Sequence, residues 1–315
     1  MFKKIKNALF SQTEDDKTGK GLYATIDELF EQRKYIHHLR KYQEKVSKTL
    51  RFGDIKSAFK GRGIEFEEIR EYNFGDDVRD IDWRVTARKL SPYTKIYNQE
   101  RDREIYVFLD LSSSMAFGTR QELKSVTAAK IASLLGWVAL ENNDRFGAVI
   151  FDGEQSYTFK PKNSRENMMA ILKKLSDVSR DILKLKQPKP EVLNKTLQAL
   201  KKNLKSQAVL FFIGDFMAFG ETIRKTLGLF SKHSSLYCIE VMDILEESAP
   251  LVKGEYMIRH GRESLIFNTD ERQFVKEYQE HFIKKRNEMR SFCRKFGMNY
   301  MTVRTDIPIY RQIKI

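Results

Sequence analysis

The sequence predicts an α/β fold: a doubly wound, mainly parallel sheet preceded by an N-terminal helical region and a small β-containing subdomain. Three observations predict it. Residues 105–109 (Ile-Tyr-Val-Phe-Leu) and 208–213 (Ala-Val-Leu-Phe-Phe-Ile) are continuous apolar runs, the pattern of strands covered on both faces in a parallel sheet. Both runs lead into an acid, Asp110 and Asp215. Around them, segments with apolar residues at helical spacing alternate with further short apolar runs, as crossover connections between parallel strands require.

In order along the chain, residues 11–22 are polar and mark the end of a flexible tail over 1–24. Over 25–50, Ile26, Leu29, Phe30, Tyr35, Ile36, Leu39, Tyr42, Val46 and Leu50 recur at helical spacing. Residues 51–104 are punctuated by Gly53, Gly61 and Gly63 and include a strand over 93–97; with the preceding helices they make a region spanning 25–104. The main domain, 105–315, continues with a helix over 122–140, a strand over 145–151 and a short edge strand over 156–159. A helix follows residue 163, capped by Ser164, with Met168, Ile171, Leu172 and Leu175 on its apolar face. A Lys/Pro-rich connector over 184–190 leads to a helix carrying Val192, Leu193, Leu197 and Leu200. After the second apolar run come a helix (220–232), a strand (236–242), a hairpin (254–267), a long helix (270–297) and a last strand (298–303).

Composition narrows the function classes. The 315 residues carry a formal charge of +14, with 41% hydrophobic and 32% charged residues, so a sizeable core is available. Lysines are interleaved with acids along the whole chain, which reads as solvated helix faces and argues against a nucleic-acid footprint. Cys238 and Cys293 sit in apolar stretches and read as reduced core thiols of a cytoplasmic protein. No apolar run is long enough to span a membrane. Residues 1–10 lack the apolar core of a signal peptide, while Phe2, Ile5 and Leu9 share a helix face flanked by lysines, the pattern of a frayed tail or a helix docked on the protein itself, with a peripheral contact at the inner membrane face as the alternative. The five histidines have no zinc spacing, and neither a P-loop nor a Gly-x-Ser-x-Gly elbow occurs.

The chemistry concentrates after the first apolar run. Ligands of doubly wound sheets bind beyond the carboxyl ends of the strands, so Asp110 and Asp215 belong to one edge. Ser112 and Ser114 alternate in the loop that follows Asp110, and two carboxylates with two hydroxyls form an oxygen-only shell suited to Mg²⁺. Asp110-x-Ser112-x-Ser114 resembles the metal-ion-dependent adhesion site of von Willebrand factor A domains. The resemblance implies that both serines contact the metal, that Asp215 is the family's second aspartate and that a partner carboxylate completes the sphere. The family also uses a Thr ahead of the second aspartate. Here that stretch reads Gln-Pro-Lys-Pro-Glu-Val-Leu over 187–193, and Thr196 falls too far along; either Glu191 substitutes as the oxygen donor, with a different geometry, or the metal site is weakened or vestigial.

A second resemblance rests on Gly61-Arg62-Gly63-Ile64-Glu65-Phe66, Arg70-x-Tyr72, Gly75-Asp76-Asp77-x-Arg79-x-Ile81-Asp82-Trp83, Ala87-Arg88 and Glu100. This pattern is similar to the family catalogued as domain of unknown function 58, and the similarity runs over nearly all of residues 35–315. It implies a von Willebrand factor A-like domain directly after the segment, and action with a MoxR-type AAA+ ATPase in assembling or maturing a client protein. The resulting expectation is a non-enzymatic, metal-assisted protein-interaction module. Two alternatives stand beside it. One is a metal-dependent hydrolase built on Asp76, Asp77, Asp80 and Asp82, although Arg70, Arg79, Arg84 and Arg88 lie among these acids and favour structural ion pairs. The other is a basic nucleic-acid-binding protein. Trp83 is expected to pack the segment onto the main domain.

Overall fold

The computed structural model describes residues 19–37, 66–73, 78–89, 91–97, 103–184, 188–205, 208–216, 220–232, 234–247, 254–260, 263–268, 270 and 272–313. The chain divides into two compact units, one of Met1–Ala58 with Arg103–Ile315 and one of Phe59–Asp102.

The smaller unit pairs strand β1 (Phe66–Glu71) antiparallel with β2 (Tyr93–Tyr97), with a bulge between Phe66 and Glu68. In the larger unit a short helix, α1 (Ile26–Glu31), opens on a capping box: Thr25 accepts from the Glu28 amide and Glu28 accepts from the Thr25 amide. Back in the smaller unit, α2 (Trp83–Lys89) lies between the two strands in sequence. Asp82 accepts from the amides of Arg84 and Val85 at 3.0 and 3.2 Å, so this acid caps the start of α2. Asp76 and Asp77 lie outside the described residues, as does the side chain of Asp80. Trp83 stands in the first turn of this helix, which buries no residue within its own unit.

The larger unit is built on β3 (Glu104–Asp110), β4 (Arg145–Phe151), β5 (Ser156–Lys162), β6 (Val209–Gly214), β7 (Ser235–Met242) and β10 (Asn299–Arg304), in the spatial order β10-β7-β6-β3-β4-β5. All neighbours are parallel except β5, which pairs antiparallel with β4 at one edge. Pro161 is accommodated there because an edge strand need not donate from every amide. A separate hairpin joins β8 (Glu255–His260) and β9 (Glu263–Asn268).

Crossover helices cover the sheet. Helix α3 (Lys124–Glu141) contacts β3, β4, β6 and β7, and is buried on nearly every side from Lys124 to Ala139. Its composition, apolar all round, matches that burial. Helix α4 (Arg165–Asp181) is capped by Ser164, which accepts from the Asn167 amide, and buries Met168, Ile171, Leu172 and Leu175 as expected. Helix α1 packs on α3 and α4, with Phe30 edge-on to Trp137 at 5.2 Å.

Strand residues alternate between faces, and the opposite face carries the second half of the core. There Tyr106, Phe108, Leu210, Phe212 and Leu236 meet three helices: α5 (Pro190–Asn203) through Leu193, Leu197 and Leu200, α6 (Glu221–Phe230) through Ile223, Leu227 and Phe230, and α7 (Arg272–Lys295) through Met289 and Cys293. Phe108 and Phe212 stack at 4.4 Å and are fully buried, each contributing roughly 1.5–3 kcal/mol of hydrophobic stabilisation. Cys238 and Cys293 are both free thiols within this cluster, and the contact with Cys293, together with burial, pushes the Cys238 thiol up. The chain closes with α8 (Ile309–Gln312). Among the described residues, no helix is long and apolar enough to cross a membrane.

Candidate functional site

Because β3, β4, β6 and β7 run parallel, their carboxyl ends share one edge, and an aspartate stands at or just beyond each end: Asp110, Asp152, Asp215 and Asp243. All four are buried, at 4%, 7%, 5% and 0% exposure. The sheet order reverses around β3, whose neighbours β4 and β6 are reached in opposite directions, and such a switch point is where open α/β sheets place ligands.

Asp110 accepts from the Ser112 amide at 3.0 Å. Burial pushes its carboxyl up to about 6; hydrogen bonds from Ser112 and the charge of Lys124 pull the other way, while Asp215 adds to the rise. Gly214 permits the closeness of β3 and β6 here, since a Cβ at that position would stand 2.9 Å from the Asp110 Cβ. The chain then turns through Ser113–Met115, with the Met115 amide donating to the Ser112 carbonyl at 2.9 Å. Met115 is fully buried and anchors the loop, Ser112 is 6% exposed, and Ser113 and Ser114 are partly exposed at its crest.

The turn between β4 and β5 lies against this loop. Gly153 has φ +97, and a Cβ there would sit 3.7 Å from Ser112 and from Pro188. The Lys189 amide donates to the Gly153 carbonyl at 2.7 Å, which brings the start of α5 to the same edge. Pro190 opens α5, where its missing amide proton and fixed φ suit the first turn. Glu191 follows it and is exposed. Thr196 is buried farther along, donating to the Val192 carbonyl and accepting from Ser156 Oγ. The structure therefore brings Asp110, Ser112 and Asp215 together, sets Ser114 two residues on in the same loop, and leaves Glu191 facing solvent.

A residue outside the predicted set occupies the centre. Lys124, the first residue of α3, is 1% exposed, and its Nζ lies 2.6 Å from Asp215 Oδ2 and 2.6 Å from Glu246 Oε1. Burial alone would push the ammonium down; Asp215 and Glu246 outweigh it, and the Lys124 pKa is raised. Glu246 is itself pushed up by burial, against the pull of Lys124. We take the pair as ionised, since the lysine is held by two acids at hydrogen-bond distance. Beside it, Tyr300 donates to Glu240 and Arg286 donates from Nη2 to the Glu246 carbonyl at 3.2 Å.

Asp243 behaves differently. It accepts from the Thr119 amide (2.9 Å), Thr119 Oγ1 (2.6 Å), Thr305 Oγ1 (3.0 Å) and the Leu245 amide (3.0 Å). Burial pushes its carboxyl up, but these donors prevail and hold it below the usual value.

An Mg²⁺ ion at Asp110, Ser112 and Asp215 would have to share Asp215 with an ammonium that already neutralises it. No Thr stands at the start of α5, and Glu191 points to solvent. The donor set does not fit a resident divalent cation.

Sequence patterning supplied a signal for Lys124 that reasoning from charge alone passes over. It begins a stretch so apolar all round that the helix had to be buried, and a charge inside such a helix needs a counter-charge. Asp152 and Asp243 carried the signal that marked Asp110 and Asp215: an acid directly after an apolar strand.

A family model described as "Protein of unknown function DUF58" matches residues 68–288. The uncharacterized proteins Rv1480 of Mycobacterium tuberculosis and Mb1516 of Mycobacterium bovis are each 25% identical over 214 residues, covering 68% of this chain and 66% of the relative. The match thus spans just under two thirds of those relatives' length. The uncharacterized protein YeaD of Bacillus subtilis is 34% identical over 67 residues, 21% of this chain and 16% of that protein. Among solved structures, the conserved hypothetical protein BatB from Bacteroides thetaiotaomicron overlaps with a TM-score of 0.41 at 18% identity, over 64% of this chain and 90% of that one. Overlap at that level does not define the fold.

Proposed function

This chain belongs to the DUF58 family, and from that premise we propose that it is a non-enzymatic protein-interaction module of the von Willebrand factor A-like, doubly wound type. Its recognition surface is the loop from Asp110 to Ser114, and it acts in the cytoplasm with a MoxR-type AAA+ ATPase on a client protein. The observation that carries this reading is the placement of that loop at the carboxyl edge beside the strand-order switch, with Ser113 and Ser114 at its crest and a buried, charge-starved Asp110 beneath. A crest offering hydroxyls over a rigid, packed base suits a protein surface better than a small molecule, which calls for a concave and largely apolar pocket. Mg²⁺ is left out of this reading because the donor set does not fit it. Asp82, the described member of the alternative acidic cluster, is engaged as a helix cap.

The test is capture of the purified ATPase by the full chain. Ser114→Arg should abolish capture while leaving the urea midpoint unchanged, since the side chain is partly exposed; Glu191→Ala should capture normally. Capture that survives Ser114→Arg, Ser113→Arg and the double variant alike would overturn the assignment of the loop.

A further inference from the structure

We infer that the Lys124 ammonium is the resident cation of this strand edge, a tethered positive charge that holds the loops in the way a bound metal would and excludes one. This inference stands apart from the identity of any partner. Lys124 joins three separate segments: the start of α3, the end of β6 through Asp215, and the turn after β7 through Glu246. Bridging carboxylates from different loops is a common structural role of a divalent ion.

Two features show that this placement is not incidental. A cation in the first turn of a helix faces the positive end of the helix dipole, an unfavourable position that the two acids must offset. Burying an ammonium at 1% exposure is tolerated only where it is paired and hydrogen-bonded, and both carboxylates lie at 2.6 Å. The Phe117 ring, with its centroid 5.8 Å from Nζ, closes one side of the ammonium. A second cation, Arg286, reaches the same turn through the Glu246 carbonyl, so a divalent ion would meet like charge from two directions. Lys124 is accordingly a positioning residue.

The experiment is a Mn²⁺ titration of the full-length chain, read as free Mn²⁺ by electron paramagnetic resonance, together with thermal melts in excess Mg²⁺ and in excess chelator. The wild type should take up no Mn²⁺ and melt identically under both conditions. Lys124→Ala should melt lower, gain Mn²⁺ uptake of about one equivalent, and recover part of the lost melting temperature in Mg²⁺. Both gains should disappear in Lys124→Ala/Asp215→Asn, and Lys124→Arg, which keeps the charge, should take up no metal. Stoichiometric Mn²⁺ uptake by the wild type that is lost in Asp110→Asn would overturn the inference. A folded Lys124→Ala that gains no metal would overturn it as well. If Lys124→Ala fails to fold in both Mg²⁺ and chelator, the wild-type titration decides alone.

Discussion

Asp110 and Asp243 end strands of one sheet, with β6 between them, and both are buried, at 4% and 0% exposure. Their electrostatic states are opposite. Asp110 has the Ser112 group as its hydrogen-bonding support and is pushed up to about 6 by burial, whereas Asp243 gathers four donors and is held below the usual carboxylate value. Burial raises both carboxyls, and at Asp243 the supply of donors outweighs it while at Asp110 it does not. Asp243 is satisfied and ties Thr119, Thr305 and the turn at Leu245 into the frame. Asp110 is left short of partners at the edge where the strand order reverses. Lys124 lies between these cases, a charge whose partners match it.

The largest expected effect comes from breaking the matched case. Lys124→Met leaves Asp215 and Glu246 buried without their counter-ion, and urea unfolding should show a loss of about 3–5 kcal/mol. Next, Asp243→Ala strands several buried donors and should cost about 2–4 kcal/mol by the same measurement, with Asp243→Asn losing less because it keeps one acceptor oxygen.

The pH dependence separates the two acids by sign. The folded Asp110 carboxyl titrates near 6, above its unfolded value near 4, so the folded chain binds the proton first; this group's contribution improves as pH falls from 6 to 4 and is adverse above 6. Asp110→Asn should therefore raise stability above pH 6 by up to roughly 3 kcal/mol and flatten the melting profile between 4 and 6. Asp243 has a depressed folded value, so its contribution is present above pH 4 and lost as pH falls through the folded value. Asp243→Asn should lessen the fall in melting temperature below pH 4. If Asp110→Asn leaves the profile between 4 and 6 unchanged, the contrast between the two acids is wrong. The smallest effect belongs to Glu191→Ala, at most about 0.5 kcal/mol, because the side chain is exposed.

Much of this fold was legible. The runs at 105–109 and 208–213 became β3 and β6, Ser164 caps its helix, and the order of strands and helices through the larger unit follows the periodicity of the chain. What was not legible was partnership across long separations. Lys124 meets Asp215 and Glu246 from 91 and 122 residues away, and Asp243 meets Thr119 from 124. Spacing within a segment says nothing of such pairs, so the edge read as two aspartates and two serines when its charge balance is set by a lysine.

The burial of Lys124 also makes it a timekeeper. An amine that is 1% exposed and held protonated by two acids is nearly inert to acylating reagents, which need the free base, whereas Lys34 and Lys184 have side chains two-thirds exposed. Under brief labelling, Lys124 should react only in molecules whose carboxyl edge has come apart. Its rate of modification, read by mass spectrometry against those surface lysines, would then report how often this edge opens in the native protein.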